Sequence, residues 1–199
     1  MAIDKYQQIY KKFSADGYAI IENFIDQSTI DQLKNEMNNL MNNFKHSTDN
    51  SSVFHTGTDQ KSDKYFLESG DKIRYFTEKD VFYYEGRFTV PKERSLNKIG
   101  HALHWWNNVY REFTFNQKFK QLAKSLNLID PVVVQSMIIF KNPRIGGTVS
   151  EHQDASYLHA LPSPDGAIVG FWIPLEDATV NKFQIIFKKL AFLVKNFFI

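Results

Sequence analysis

No cysteine occurs in the 199 residues. That absence excludes disulfides and thiolate metal sites, and it fits a reducing compartment. Neither sign of charge prevails: 24 Lys and Arg against 22 Asp and Glu leave a net charge of +2. The chain therefore carries no basic footprint, and nucleic acid is not an expected partner. The first residues, Met-Ala-Ile-Asp-Lys-Tyr-Gln-Gln, lack the apolar run of a secretory signal. The last four, Asn-Phe-Phe-Ile, are neither a peroxisomal nor a reticulum address, so a cytoplasmic location is the expectation. What the chain has in plenty is rings. Aromatic residues make up 15%, with 18 Phe and 9 Tyr, inside an ordinary 43% hydrophobic and 23% charged composition. A ring-rich core of one globular domain is the expected result.

The periodicities suggest helices first and strands later. Tyr6, Ile9, Tyr10 and Phe13 recur at helical spacing, with Gly17 placed to stop that helix. Residues 18–24 form a short β-rich run. Ile30, Leu33, Met37, Leu40, Met41 and Phe44 mark one face of a second helix, and Ser28 with Asp31 resembles a capping box at its start. Residues 45–64 are polar and turn-rich, which predicts a mobile loop. Residues 73–84 have strand character, 96–113 and 116–126 helical character, and Pro131 opens a strand over 132–141. Residues 167–173 suggest another strand. No internal repeat is visible. The predicted class is α+β, with a sheet carrying the chemistry.

The strand over 132–141 divides into two faces by its period of two. One carries Val132, Val134, Ser136, Ile138 and Phe140; the other carries Val133, Gln135, Met137, Ile139 and Lys141. A face that mixes an amide, a thioether and a cation suits a pocket wall better than a dry core, because a buried amide needs partners. On the later strand Trp172 shares its face with Gly170, which leaves a slot beside the indole.

The segment Gly146-Gly147-Thr-Val-Ser-Glu-His152-Gln-Asp154 places an imidazole and a carboxylate two residues apart after a glycine turn. On an extended backbone such side chains leave from one face, with Cα atoms roughly 6.6 Å apart, and both heads can converge on a cation. His-x-Asp alone is common enough by chance to carry little. The glycine pair, which permits a sharp turn, and the long β-run before it strengthen the metal reading. The other histidines compete less well. His101 and His104 fall at helical spacing beside Trp105 and Trp106 and are expected to pack, His46 and His55 sit in the polar loop, and His159 lies on the wrong stretch to complete the set.

Several longer segments now align with one family. Val90-Pro-Lys-Glu-Arg-Ser-Leu-Asn-Lys98-Ile-Gly-His-Ala-Leu-His104, Val132-Val-Val-Gln-Ser-Met137, the Gly146–Asp154 segment and Trp172-Ile-Pro-Leu-Glu-Asp-Ala-Thr179 occur in that order. Together they resemble the phytanoyl-CoA dioxygenase family, from near the start of the chain to about Thr179. The resemblance implies a double-stranded β-helix, or jelly roll, with N-terminal helices, that binds Fe(II) and 2-oxoglutarate. It implies His152 and Asp154 as two iron ligands, in keeping with two-histidine-one-carboxylate sites. By the same resemblance Lys98, Met137 and Trp172 match positions that contact 2-oxoglutarate. Without the family they would read as a solvated lysine, a core methionine and a packed tryptophan. The implied reaction couples decarboxylation of 2-oxoglutarate by O2 to hydroxylation of a C–H bond in a small organic or acyl-CoA substrate.

The resemblance stops after Thr179. The family continues with further strands, a distal His ligand and an Arg that pairs with the 2-oxoglutarate carboxylate. Here no histidine follows His159 and no arginine follows Arg144; the only cations beyond are Lys182, Lys188, Lys189 and Lys195. The expected organisation is a partial dioxygenase-like domain over 1–180, cut before the last jelly-roll strands, and an unrelated Lys/Phe-rich tail over 181–199 from a truncated or mis-spliced frame. The tail's lysines break any long apolar run, so a bilayer span is not expected; a basic amphipathic helix on an anionic membrane is the lesser alternative to packing on the sheet. Two functions follow: an oxygenase by lineage with impaired activity, or a non-catalytic module that binds a metal or 2-oxoglutarate.

Overall fold

The structure is a computed structural model that describes residues 4–45, 51–54, 63–79, 81, 88–146, 168–177 and 197–198. The chain divides into two compact units, one of Met1–Gln27, Asn116–Val132 and Ser150–Ile199, the other of Ser28–Phe115 and Val133–Val149.

The first unit is held by two helices. Helix α1, Lys5–Asp16, starts where the Asp4 carboxylate accepts from the Tyr6 N–H, and ends at Gly17, whose φ of 83° only a residue without a Cβ adopts freely. The predicted stop is the observed one. Ile9 and Phe13 are buried against Ala19, Leu122 and Leu126, with Tyr6, Tyr10, Ile21 and Phe24 around them. The partner helix Gln117–Ser125, within the 116–126 stretch of expected helix, is capped by Asn116, whose side chain accepts from the Phe119 N–H. Phe119 meets Phe24 edge-on at 5.3 Å and Phe171 at 5.4 Å. The β-rich run over 18–24 forms no strand: Asn23 turns to φ 54°, which breaks an extended chain. The expected strand over 167–173 reduces to Val169–Gly170, paired in parallel with Phe197–Phe198.

The second unit is built on a four-stranded sheet. Helix α2, Gln27–Asn43, precedes it, and Ser28 lies inside its first turn instead of in front of it. Leu33 is the residue α2 buries, and Phe44 follows its end with its ring stacked on Tyr75 at 4.9 Å. The strands are β1 (Ser51–Val53), β2 (Ile73–Thr77), β3 (Leu96–His101) and β4 (Ser136–Ile139), in the order β1-β2-β3-β4. β1 runs parallel to β2; β2, β3 and β4 are antiparallel. Two of these correct the expectations. β1 lies inside the stretch expected to be loop, of which residues 46–50 and 55–62 fall outside the described ones. β3 occupies the start of a predicted helix, because Leu96, Ile99 and Leu103 mimic helical spacing while the chain runs extended to 101. Helical turns follow only at Leu103–Trp106 and Asn108–Thr114. The core of this unit is Phe76, Val81, Leu96, Ile99, Leu103 and Ile138. Mixed helices and a largely antiparallel sheet bear out the α+β class.

Among the described residues no helix is long and apolar enough to cross a membrane.

Candidate functional site

Strands β3 and β4 bring two of the sequence-predicted residues to one face. In their register Lys98 stands opposite Ile139 and Gly100 opposite Met137. Directly opposed residues of an antiparallel pair share a face, and so do residues two apart on a strand. Lys98, Gly100, Met137 and Ile139 therefore share one side, with Lys141 continuing the same row. The contact is close: a Cβ on Gly100 would stand 3.0 Å from Met137 Cβ. The opposite face of β4 turns inward through Ile138, which is 5% exposed against 36% for Ile139. The mixed face of the 132–141 segment is thus the open one, as its composition suggests, although ladder pairing covers only four of those residues. Val132 and Val134 are exposed instead.

Lys98 is the unusual group on this face. Its Nζ lies 3.3 Å from the centroid of the Phe54 ring. Burial, then the nearby Lys141 charge, push its pKa down to about 8, against the opposing pull of Glu78. Among the described residues the ammonium's close partner is a ring and not an anion. A desolvated cation is costly to the fold, and such a group fits a small carboxylate ligand. Met137 beside it and Lys141 in its row fit the same ligand. Phe54 and Glu78 were not singled out by sequence reading, since a phenylalanine in a polar stretch and an acid directly after a strand give no periodic signal.

The loop after β4 leads toward the candidate metal pair. Asn142 Nδ2 donates to the carbonyls of Arg94 and Leu96 at 3.1 and 3.2 Å, and Arg94 donates to the Pro143 carbonyl at 2.8 Å. Arg144 and Gly146 then take φ values of 63° and 103°. The turn expected of the glycine pair begins here, packed against the Glu78 carboxylate. His152 and Asp154 lie outside the described residues. Among the described ones no three His, Asp or Glu side chains gather as a metal site. Trp172 belongs to the other unit and is 38% exposed, two residues beyond Gly170 of the 169–170 strand.

The two histidines expected to pack are both buried. His104 Nδ1 lies 2.6 Å from Ser136 Oγ, and its backbone N–H donates to the same oxygen. Burial lowers its pKa, against a hydrogen bond with the Val133 backbone. His101 packs between Phe66 and Phe76.

The family model described as Phytanoyl-CoA dioxygenase (PhyH) matches residues 13–182. Phytanoyl-CoA dioxygenase domain-containing protein 1 of Danio rerio is 42% identical over 179 residues, covering 86% of this chain and 60% of that protein. The Bos taurus protein of the same name is 43% identical over 176 residues, with the same two shares. A phytanoyl-CoA dioxygenase of Arabidopsis thaliana is 43% identical over 169 residues, 84% of this chain and 58% of its own. The chain thus spans about 60% of the length of the curated relatives it matches.

Proposed function

Because the chain belongs to the phytanoyl-CoA dioxygenase family, we propose that it is an Fe(II)- and 2-oxoglutarate-dependent dioxygenase acting on a small organic or acyl-CoA substrate. Its helices and strands then form the first part of a double-stranded β-helix. The reading includes a cytoplasmic location, a small molecule as partner and no nucleic acid.

The observation that carries it is Lys98, a half-buried ammonium beside a ring, on the strand face that also bears Met137 and Lys141. In this reading Lys98 binds one carboxylate of 2-oxoglutarate, Met137 forms the adjoining wall and Trp172 adds a third contact. His152 and Asp154, two residues apart in the sequence, hold the iron. Bound iron and 2-oxoglutarate supply O2 activation, with loss of CO2 to leave succinate and an oxygen atom inserted into a C–H bond. The protein's own share is positioning. A cation fixed in a poorly solvated site binds carboxylate more strongly than one in water, because the surrounding dielectric is lower.

Residues 160–199 contain no histidine, and none after 144 is arginine. Of the residues matched to the family's iron ligands the reading names two, His152 and Asp154, and slow turnover and weak binding are expected of these 199 residues by themselves. The test is succinate formation by the 199-residue chain with Fe(II), ascorbate and 2-oxoglutarate, alongside calorimetric binding of 2-oxoglutarate. Succinate that disappears in His152→Ala supports the oxygenase. Binding lost in Lys98→Met, with no succinate, supports the non-catalytic binding module that the missing ligand favours. Neither binding nor turnover defeats both.

A further inference from the structure

We propose that Phe54 is a positioning residue for Lys98: its ring holds the ammonium in place, still charged, for a ligand carboxylate. The inference rests on the reading of Lys98 as a 2-oxoglutarate contact and deepens it.

The ring is itself fixed from two sides. Phe54 directly follows β1, and its backbone N–H donates to the Thr77 carbonyl at 2.9 Å, which carries the β1–β2 pairing one residue further. Its ring packs against Phe66 at 6.3 Å between centroids. Lys98 reaches it from β3, whose partner residue on β2 is Phe76, next to Thr77. Three adjacent strands thus set the 3.3 Å contact between ring and ammonium.

The choice of a ring has a chemical consequence. A carboxylate beside Lys98 would neutralise it, and an incoming anion would have to displace that partner. An aromatic face attracts the cation through its quadrupole without neutralising it. The ammonium carries three N–H donors, and those turned away from the ring remain for a ligand. Among the described residues Glu78 after β2 attracts it, while Lys141 beyond β4 repels it and adds positive potential. His101 at the end of β3 stays neutral near pH 7. A cation held against a ring, with a second lysine nearby, is a receptor for a short dicarboxylate.

The experiment titrates 2-oxoglutarate into the full chain carrying Zn(II), a diamagnetic metal. Binding is followed by calorimetry, and the lysine Cε signals by NMR, with Lys98 assigned by its loss in Lys98→Met. In the parent the Lys98 Cε protons resonate upfield of the other lysines, because they lie over a ring, and shift on titration. Phe54→Leu keeps the apolar volume and removes the ring. The expected result is loss of the upfield shift together with affinity weakened between about 3- and 10-fold. Phe54→Trp restores both, which separates ring chemistry from a folding defect. Binding that needs Lys98 but is unchanged in Phe54→Leu overturns this proposal and leaves the cofactor reading standing. A parent chain that binds no 2-oxoglutarate overturns both.

Discussion

Ser69 Oγ stands 2.7 Å from His101 Nδ1, and the same hydroxyl donates its proton to the Phe66 carbonyl. A serine has one proton to give, so it accepts from His101, which fixes the imidazole with hydrogen on Nδ1. The other nitrogen, Nε2, is then a bare acceptor, buried and without a hydrogen-bond partner among the described residues.

Acid is expected to destabilise the fold through this histidine. Burial, then the nearby Lys98 charge, push its pKa from 6.5 to about 4. Between those values the unfolded chain takes up a proton that the folded chain refuses. The stability present above pH 6.5 is therefore lost as pH falls through about 4. Urea unfolding of the parent should show this slope, and His101→Phe, which suits the neighbouring rings, should flatten it. Ser69→Ala should cost about 1–3 kcal/mol at pH 7, because it leaves the Nδ1 hydrogen unpaired in the core. A Ser69→Ala chain as stable as the parent would contradict the tautomer.

Gly146 is expected to tolerate no side chain. Its φ is 103°, and a Cβ there would lie 2.8 Å from Glu78 Oε1, a carboxylate on a residue only 3% exposed. Gly146→Ala should lose more than about 1 kcal/mol by thermal or denaturant unfolding. Gly70→Ala, where nothing lies within 4 Å of the added carbon, is the control and should change little. Equal effects at the two positions would remove the backbone argument and with it the view that the turn before 152 is built in.

What was readable beforehand follows from how local each signal is. Helix α1 and the helix of residues 117–125 were legible because their signals, the stop at Gly17 among them, act within a few turns of the chain. Strand β3 was not, since Leu96, Ile99 and Leu103 satisfy a helical period as well as a buried strand does. What decides for the strand is tertiary: Gly100 admits the β-carbon of Met137, and β2 pairs along its other side. Lys98 and Met137 were found through a resemblance, and only the β3–β4 register explains why residues so far apart in sequence share a face. Phe54 left no trace in the sequence, because its meaning lies in a contact across three strands.

Lys98 itself should produce two opposite pH slopes. Its pKa in the folded chain is about 8, against 10.5 for an ordinary lysine. Between these values the folded chain has lost a proton that the unfolded chain keeps, so stability rises with pH across the window. Below it the whole cost of the buried charge is present, on the order of 3 kcal/mol at about 1.4 kcal/mol per unit. Lys98→Met should therefore be more stable than the parent at pH 7, with the gap closing toward pH 10.5. Affinity for 2-oxoglutarate should run the other way, falling as pH passes about 8, because the ammonium that attracts the carboxylate disappears. A cation kept at a cost to the fold and needed for the ligand belongs to function. Were Lys98→Met less stable than the parent at pH 7, with 2-oxoglutarate binding flat across the same range, the lysine would be a structural residue and the site would have to be sought elsewhere.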